Sequence, residues 1–285
     1  MRIPTSKTMS WFPTFVCLFF LAASSSCSWA QKEQPKAWPY DPDYQPITKS
    51  EITRLIRDPE TTVAGHEAIA NRAGLYHLLN FAVDEYLKEH LKRPKDAVLQ
   101  SAFGYTFFLA ETAPSENPSF QKTHTLHNSY WATQALWRGT KLAPKSPFCW
   151  RALAYAGISK ASTLNEDYTS ASESELPSIK QSLKFLEKAV ELAPNDARTY
   201  RMLAWGYQFR TKFYSPQKEL QFAQRAVKFA PHSSKSLNAL AWAYFDNKDY
   251  KALHQTLQKA YALRPPQFRD PKLLDFAKRF AMKSP

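Results

Sequence analysis

WRALAYAGI, from Trp150, and YRMLAWGYQ, from Tyr200, are the stretches on which the fold turns, and QSAFGYTFF from Gln100 and LNALAWAYF from Leu237 fall into register with them. The fourth residue of each is large and apolar (Phe103, Leu153, Leu203, Leu240) and the fifth is small (Gly104, Ala154, Ala204, Ala241). A small residue lets a paired helix approach closely, and the apolar residue before it fills the space between the two. Proline supplies the register. Pro94, Pro144, Pro194, Pro231 and Pro265 each close a helical apolar pattern, four of them in the strings Leu-Ala-Pro, Leu-Ala-Pro, Phe-Ala-Pro and Leu-Arg-Pro, at spacings of 50, 50, 37 and 34 residues. Proline and the residue before it stop helices, so the chain reads as repeated helix pairs. No stretch alternates with the period of a strand.

On these residues the chain resembles the tetratricopeptide repeat (TPR) family, whose period is about 34 residues and whose first helix reads W-x-x-L-G-x-x-Y. The last motif position holds Tyr207, Tyr244, Phe107 and, in the second repeat, Gly157, where a looser helix is expected. Second helices carry Gly139, Ala189, Ala226 and Ala260 five residues before the closing proline. The resemblance implies an all-α, right-handed α-solenoid of antiparallel helix pairs over residues 95–266. Each pair leaves apolar surface that only its neighbour covers. The surplus over the family period falls in ETAPSENPSFQKTH (from Glu111) and LNEDYTSASESELPS (from Leu164), which read as partly loop.

Around the repeats, residues 48–94 carry further helices. Thr48 and Glu51 have capping-box spacing, and one amphipathic face runs from His66 to Lys92. Asp270-Pro271 opens a capping helix within 267–285. Residues 31–47, QKEQPKAWPYDPDYQPI, form a proline-rich leader that reads as extended. Its Trp38, Tyr40 and Tyr44 with Asp41 and Asp43 could lie across a groove of its own or a neighbouring chain; a flexible spacer is the plainer expectation.

Residues 1–30 have the order of a secretory signal: Arg2 and Lys7, the apolar run Trp11 to Ala23, then Ser28-Trp29-Ala30. The run is shorter than the ~20 residues of a membrane span. Export to a periplasm or the outside is expected, with a lipoprotein anchored through Cys27 as the alternative and the only route to a membrane. Cleavage after Ala30 leaves Cys149 without a disulfide partner. The charge is +13, which suits acidic partners, anionic polymers or headgroups; for an exported chain nucleic acid is not expected.

In TPR proteins the first helices line the concave groove. The residues after the small position are Tyr105, Tyr155, Trp205 and Trp242, all aromatic. Arg151, Arg201 and Asn238 lie three before it, with Arg198 and Lys235 a turn nearer the helix starts. Rings beside cations could hold a protein or peptide segment, an acidic one suiting the arginine forks; the rings could equally pack between repeats. Function by resemblance is a protein-binding scaffold or assembly adaptor. A basic protein meeting an anionic surface by charge, and a subunit of a larger assembly, remain alternatives, and oligomeric state is open. No enzyme is expected: H-E-x-x-H, G-x-S-x-G and phosphate-loop motifs are absent. His66-Glu67 lacks a second histidine four residues on, His124 and His127 lack a third ligand, and Cys149 reads as a small buried thiol, so neither cofactor nor metal is expected.

Overall fold

The computed structural model describes residues 41–112, 126–164, 176–208, 213–269 and 271–283. The signal sequence, Cys27, Trp38, Tyr40 and His124, with most of both inserted stretches, lie outside them. Among the described residues there are twelve α-helices and no strand. Helices α1 (Lys49–Arg57), α2 (Val63–Leu75) and α3 (Leu79–Lys92) precede four antiparallel pairs: α4 (Ala97–Thr112) with α5 (Leu126–Leu142), α6 (Pro147–Leu164) with α7 (Ile179–Leu192), α8 (Ala197–Gly206) with α9 (Pro216–Phe229), and α10 (Ser234–Asp246) with α11 (Tyr250–Ala262). Helix α12 (Pro271–Lys283) packs on α11. The arrangement is an α-solenoid of helix pairs.

One turn, used repeatedly, explains the proline register. After α3, α5, α7 and α9 the chain makes a four-residue turn with proline second, closed by Asp96 N–H to Arg93 O (3.1 Å), Ser146 to Ala143 (2.9 Å), Asp196 to Ala193 (3.1 Å) and Ser233 to Ala230 (3.1 Å). Proline is favoured at that position of a type I turn and drives the residue before it out of the helical region; Ala193 and Ala230 accordingly sit at φ −145° and −141°. The fourth residue is the next helix's N-cap: Asp96, Ser146, Asp196 and Ser233 accept backbone N–H bonds from Leu99, Cys149, Arg198 and Ser236. The first motif position completes the joint. Trp150 Nε1 donates to Pro144 O at 2.8 Å and the Tyr200 hydroxyl to Pro194 O at 2.9 Å, while Gln100 Nε2 donates to His90 O at 2.8 Å. Trp, Tyr and Gln share a donor there, which explains how Gln100 fills an aromatic position.

Two expectations change. The face from His66 to Lys92 is not one helix, because the chain reverses at Tyr76–Leu78. His77 adopts φ 55° and Leu78 N–H bonds Ala73 O at 2.8 Å, a C-terminal closure of α2 made without glycine or proline and therefore unmarked in the sequence. Gly157 does not mark a looser helix. A Cβ there would lie 2.4 Å from Pro177 O and 2.3 Å from Ser182 Oγ, so the glycine marks the closest approach of α6 to the start of α7. Gly104 has the expected role, with Leu136 Cγ 2.4 Å from where its Cβ would be. Helix α7 is opened by a full capping box between Ser178 and Gln181.

Glycine in a helix costs roughly 1 kcal/mol against alanine, so the sign of a substitution depends on the space available. Gly74→Ala, whose Cβ would meet Leu79 at an ordinary 3.6 Å, is expected to raise the melting temperature. Gly157→Ala meets backbone and is expected to cost about 1–3 kcal/mol from overpacking. Urea denaturation of the two variants measures both signs.

Glu219 of α9 is fully buried with its carboxyl against Asp246, and burial, reinforced by that neighbour, raises its pKa to about 9. The fold thus keeps a proton that the unfolded chain releases from about pH 4.5 upward. This contribution to stability is full below that pH and is lost as pH rises towards 9. Melting temperatures between pH 5 and 9 are expected to decline less in Glu219→Gln than in the parent chain.

Candidate functional site

The first helices do bring the expected aromatic residues together. Tyr105 and Tyr155 meet at 4.8 Å between ring centroids and Tyr155 meets Trp205 at 5.5 Å, each ring reaching from one first helix to the next. Burial raises the Tyr105 phenol pKa well above its usual value. Trp242 is half-buried with its ring against Phe245 at 5.8 Å. Three of the four rings therefore pack between repeats.

The cations beside them face acids of the same chain. Helix α2 lies against the first helices, and its Glu67, only 4 % exposed, pairs through one oxygen with Arg151 of α6 and through the other with Arg198 of α8. Arg151 pairs in addition with Asp196, the N-cap of α8, and that carboxylate accepts the Thr199 hydroxyl at 2.6 Å. Burial lowers the guanidinium pKa of Arg151, but Glu67 and Asp196 outweigh it and the net shift is upward. Arg151, expected among the groove cations, is instead a buried joint between α2, α6 and α8. Sequence periodicity offered no view of α2 crossing the repeats.

Arg201 and Lys235 face a different acid. Residues 41–47 fold back onto the C-terminal half of α2 and the start of α10, with Asp41 and Tyr44 buried. Asp43 pairs with Lys235 at 3.1 Å. Burial raises the Asp43 pKa, yet Lys235, Arg201 and Arg198 together outweigh that and hold it below the usual carboxylate range. Burial lowers both Lys235 and Arg201, with Asp43 the largest opposing influence on each. Arg201 Nε and Asn238 Oδ1 are buried without a hydrogen-bond partner among the described residues. The segment is not extended throughout, because Pro42–Tyr44 forms a 3-10 turn in which Asp43 N–H bonds Asp41 Oδ1 at 3.1 Å.

Sequence reasoning missed Glu67 and Asp196. The available signal for Glu67 was an acid set between His66 and the buried pair Ile69 and Ala70, where a solvated glutamate does not belong. The Cys149 thiol is buried and its pKa raised by that burial, opposite to a nucleophile's need. Among the described residues no group of three His, Cys, Asp or Glu could hold a metal, and no helix is long and apolar enough to cross a membrane.

A thermophilic TPR protein of Thermus thermophilus superimposes on 78 % of this chain and 98 % of its own with a TM-score of 0.52, at 14 % identity. This chain has the TPR fold. Weaker likenesses include MamA of Desulfovibrio magneticus, with 18 % identity, 70 % of this chain and 94 % of that one, and a TM-score of 0.40. YrrB, a TPR protein with an unusual peptide-binding site, has 14 % identity over 81 % of this chain and 100 % of that one, also with a TM-score of 0.40. No protein-family profile and no curated protein matches the chain.

Removing one partner of a buried ion pair leaves an uncompensated charge, which typically costs about 3–5 kcal/mol. Glu67→Gln is therefore expected to destabilise the chain by about 3 kcal/mol. Arg198→Gln, whose side chain is 39 % exposed, is expected to cost far less. Urea midpoints at unchanged slope distinguish the two.

Proposed function

We propose that this chain is an exported, non-catalytic scaffold that binds a protein partner through the first-helix face of its repeats, taking up an acidic segment. The observation that carries the reading is the seat of Asp43. Lys235 pairs with it, Arg201 and Arg198 act on it electrostatically, and a buried Arg201 nitrogen remains without a bond. Cations on repeated helices facing an acidic segment are the chemistry of peptide recognition. The TPR fold supports a scaffold, and Arg2, Lys7 and the apolar run Trp11 to Ala23 support export, with cleavage after Ala30 or lipidation at Cys27 as the two ways of processing.

Affinity capture from the native source tests this. Residues 31–285 are compared with a folded variant carrying Arg201→Ala, Trp205→Ala and Trp242→Ala, at low and moderate salt. A defined protein retained by the first and lost by the second is expected. If both retain the same material and salt removes it, the chain acts through its overall charge and the reading fails.

A further inference from the structure

The segment Asp41–Ile47 is held as a bound peptide is held, by side chains distant in sequence. Asp41 Oδ2 accepts the Ser234 N–H at 3.0 Å, at the first residue of α10, where the helix's free amides and dipole favour an anion. Asp43 pairs with Lys235 at 3.1 Å, the next residue of the same helix. The Tyr44 hydroxyl lies 3.1 Å from Ser234 Oγ, its ring is 5.3 Å from that of Phe268, and its carbonyl accepts the Tyr76 hydroxyl at 2.8 Å. Arg72 holds the backbone beyond, donating to Gln45 O at 2.9 Å. Two carboxylates and a phenol are thus read in order by an amide, an ammonium and an aromatic slot.

We propose that Asp41–Tyr44 is an intramolecular stand-in for a segment of another protein, and that its seat at the start of α10, beside the C-terminal end of α2 and within the field of Arg201, recognises the pattern acid, any residue, acid, tyrosine. The proposal rests on the scaffold reading above and names the partner's chemistry. Three observations support it.

The seat is cationic once the segment leaves. Lys235 and Arg201 both have Asp43 as their largest favourable charge contact, and Glu67 is committed to Arg151 and Arg198. Partly buried cations without a counter-charge are costly, so the empty seat favours carboxylates. Lifting residues 41–44 breaks no α-helix, since the only regular structure there is the three-residue turn, and Gln45, which follows it, is exposed. Ile47 belongs to the core with Ile52 and Ile56 and stays as the anchor. The recognised features are side-chain tips and one turn, which a short foreign segment can reproduce.

A segment that occupies its own seat lowers apparent affinity for a competitor by the fraction of time the seat is open. The full-length chain and a variant carrying Asp41→Asn, Asp43→Asn and Tyr44→Ala are titrated with a fluorescein-labelled peptide of residues 41–47, followed by anisotropy. The variant is expected to bind about tenfold more tightly than the parent chain, because its seat is open. A peptide with asparagine at both acids is expected to bind about tenfold more weakly than the unaltered one, having lost its charge-assisted bonds. A variant with normal helical circular dichroism that binds no tighter than the parent, or indifference to the asparagines, overturns the proposal. So does a variant that pairs into dimers at the expense of peptide binding, since the seat would then serve a second copy. Should the triple variant lose helicity, Asp43→Asn alone replaces it, with a gain of about threefold expected and no gain overturning the idea. Peptide binding without a captured partner sinks only the scaffold reading; capture without peptide binding sinks only this one.

Discussion

A guanidinium with 4 % of its surface exposed, held between two carboxylates from other parts of the chain, sets the constraints under which this solenoid is assembled. Arg151 belongs to the second helix pair, Asp196 opens the third, and Glu67 comes from a helix that precedes them all. In a repeat array each unit touches only its neighbours, and such arrays open and close along their length. An ion pair that ties α2 to α6 and α8 adds a contact across repeats. A buried charge is tolerated only where its partners are placed well, so the pair enforces one angle between α2 and the array as much as it stabilises it. With α2 in place, Tyr76 and Arg72 at its C-terminal end can receive residues 44–46, and the chain reaches from its N-terminal helices to the start of α10.

Most of the fold was legible because it is made of local rules repeated in register. The prolines at 94, 144, 194 and 231 mark turns whose fourth residue caps the next helix, and the small residues mark close approaches. The reading failed where a residue type has two uses. Gly157 at an aromatic motif position suggested slack; it is small because Pro177 and Ser182 sit against it. The break after α2 was hidden for the opposite reason, since His77 takes a conformation usually signalled by glycine.

The site was legible as a set of residues but not as a set of partners. Periodicity placed Tyr105, Tyr155, Trp205, Arg151, Arg198 and Arg201 on related helix faces, and they do lie close together. Which acids meet the cations depends on where α2 and residues 41–47 run, and no local pattern encodes a crossing between segments as far apart as Asp41 and Ser234. The leader's composition did carry a clue. Two aspartates and a tyrosine within four residues, in a strongly basic chain, match the cations that the first helices left unpaired.

Net charge and the seat have separate physical effects. With the inner cations matched by Glu67, Asp196 and Asp43, the excess of Lys and Arg sits on exposed faces, as with Lys141, Lys228 and Lys259 in the last turns of second helices, where a cation also suits the helix dipole. Exposed charges act over a Debye length of about 8 Å at physiological salt and are screened beyond it, whereas a partly buried pair such as Lys235–Asp43 is screened less. On the proposal above, the surface governs how fast an acidic segment arrives and the Lys235–Asp43 seat how long it stays. Salt then slows the first more than it weakens the second. On that proposal, a strongly basic chain discriminates among acidic partners because selection occurs at a backbone amide, an ammonium and an aromatic slot rather than on the charged surface.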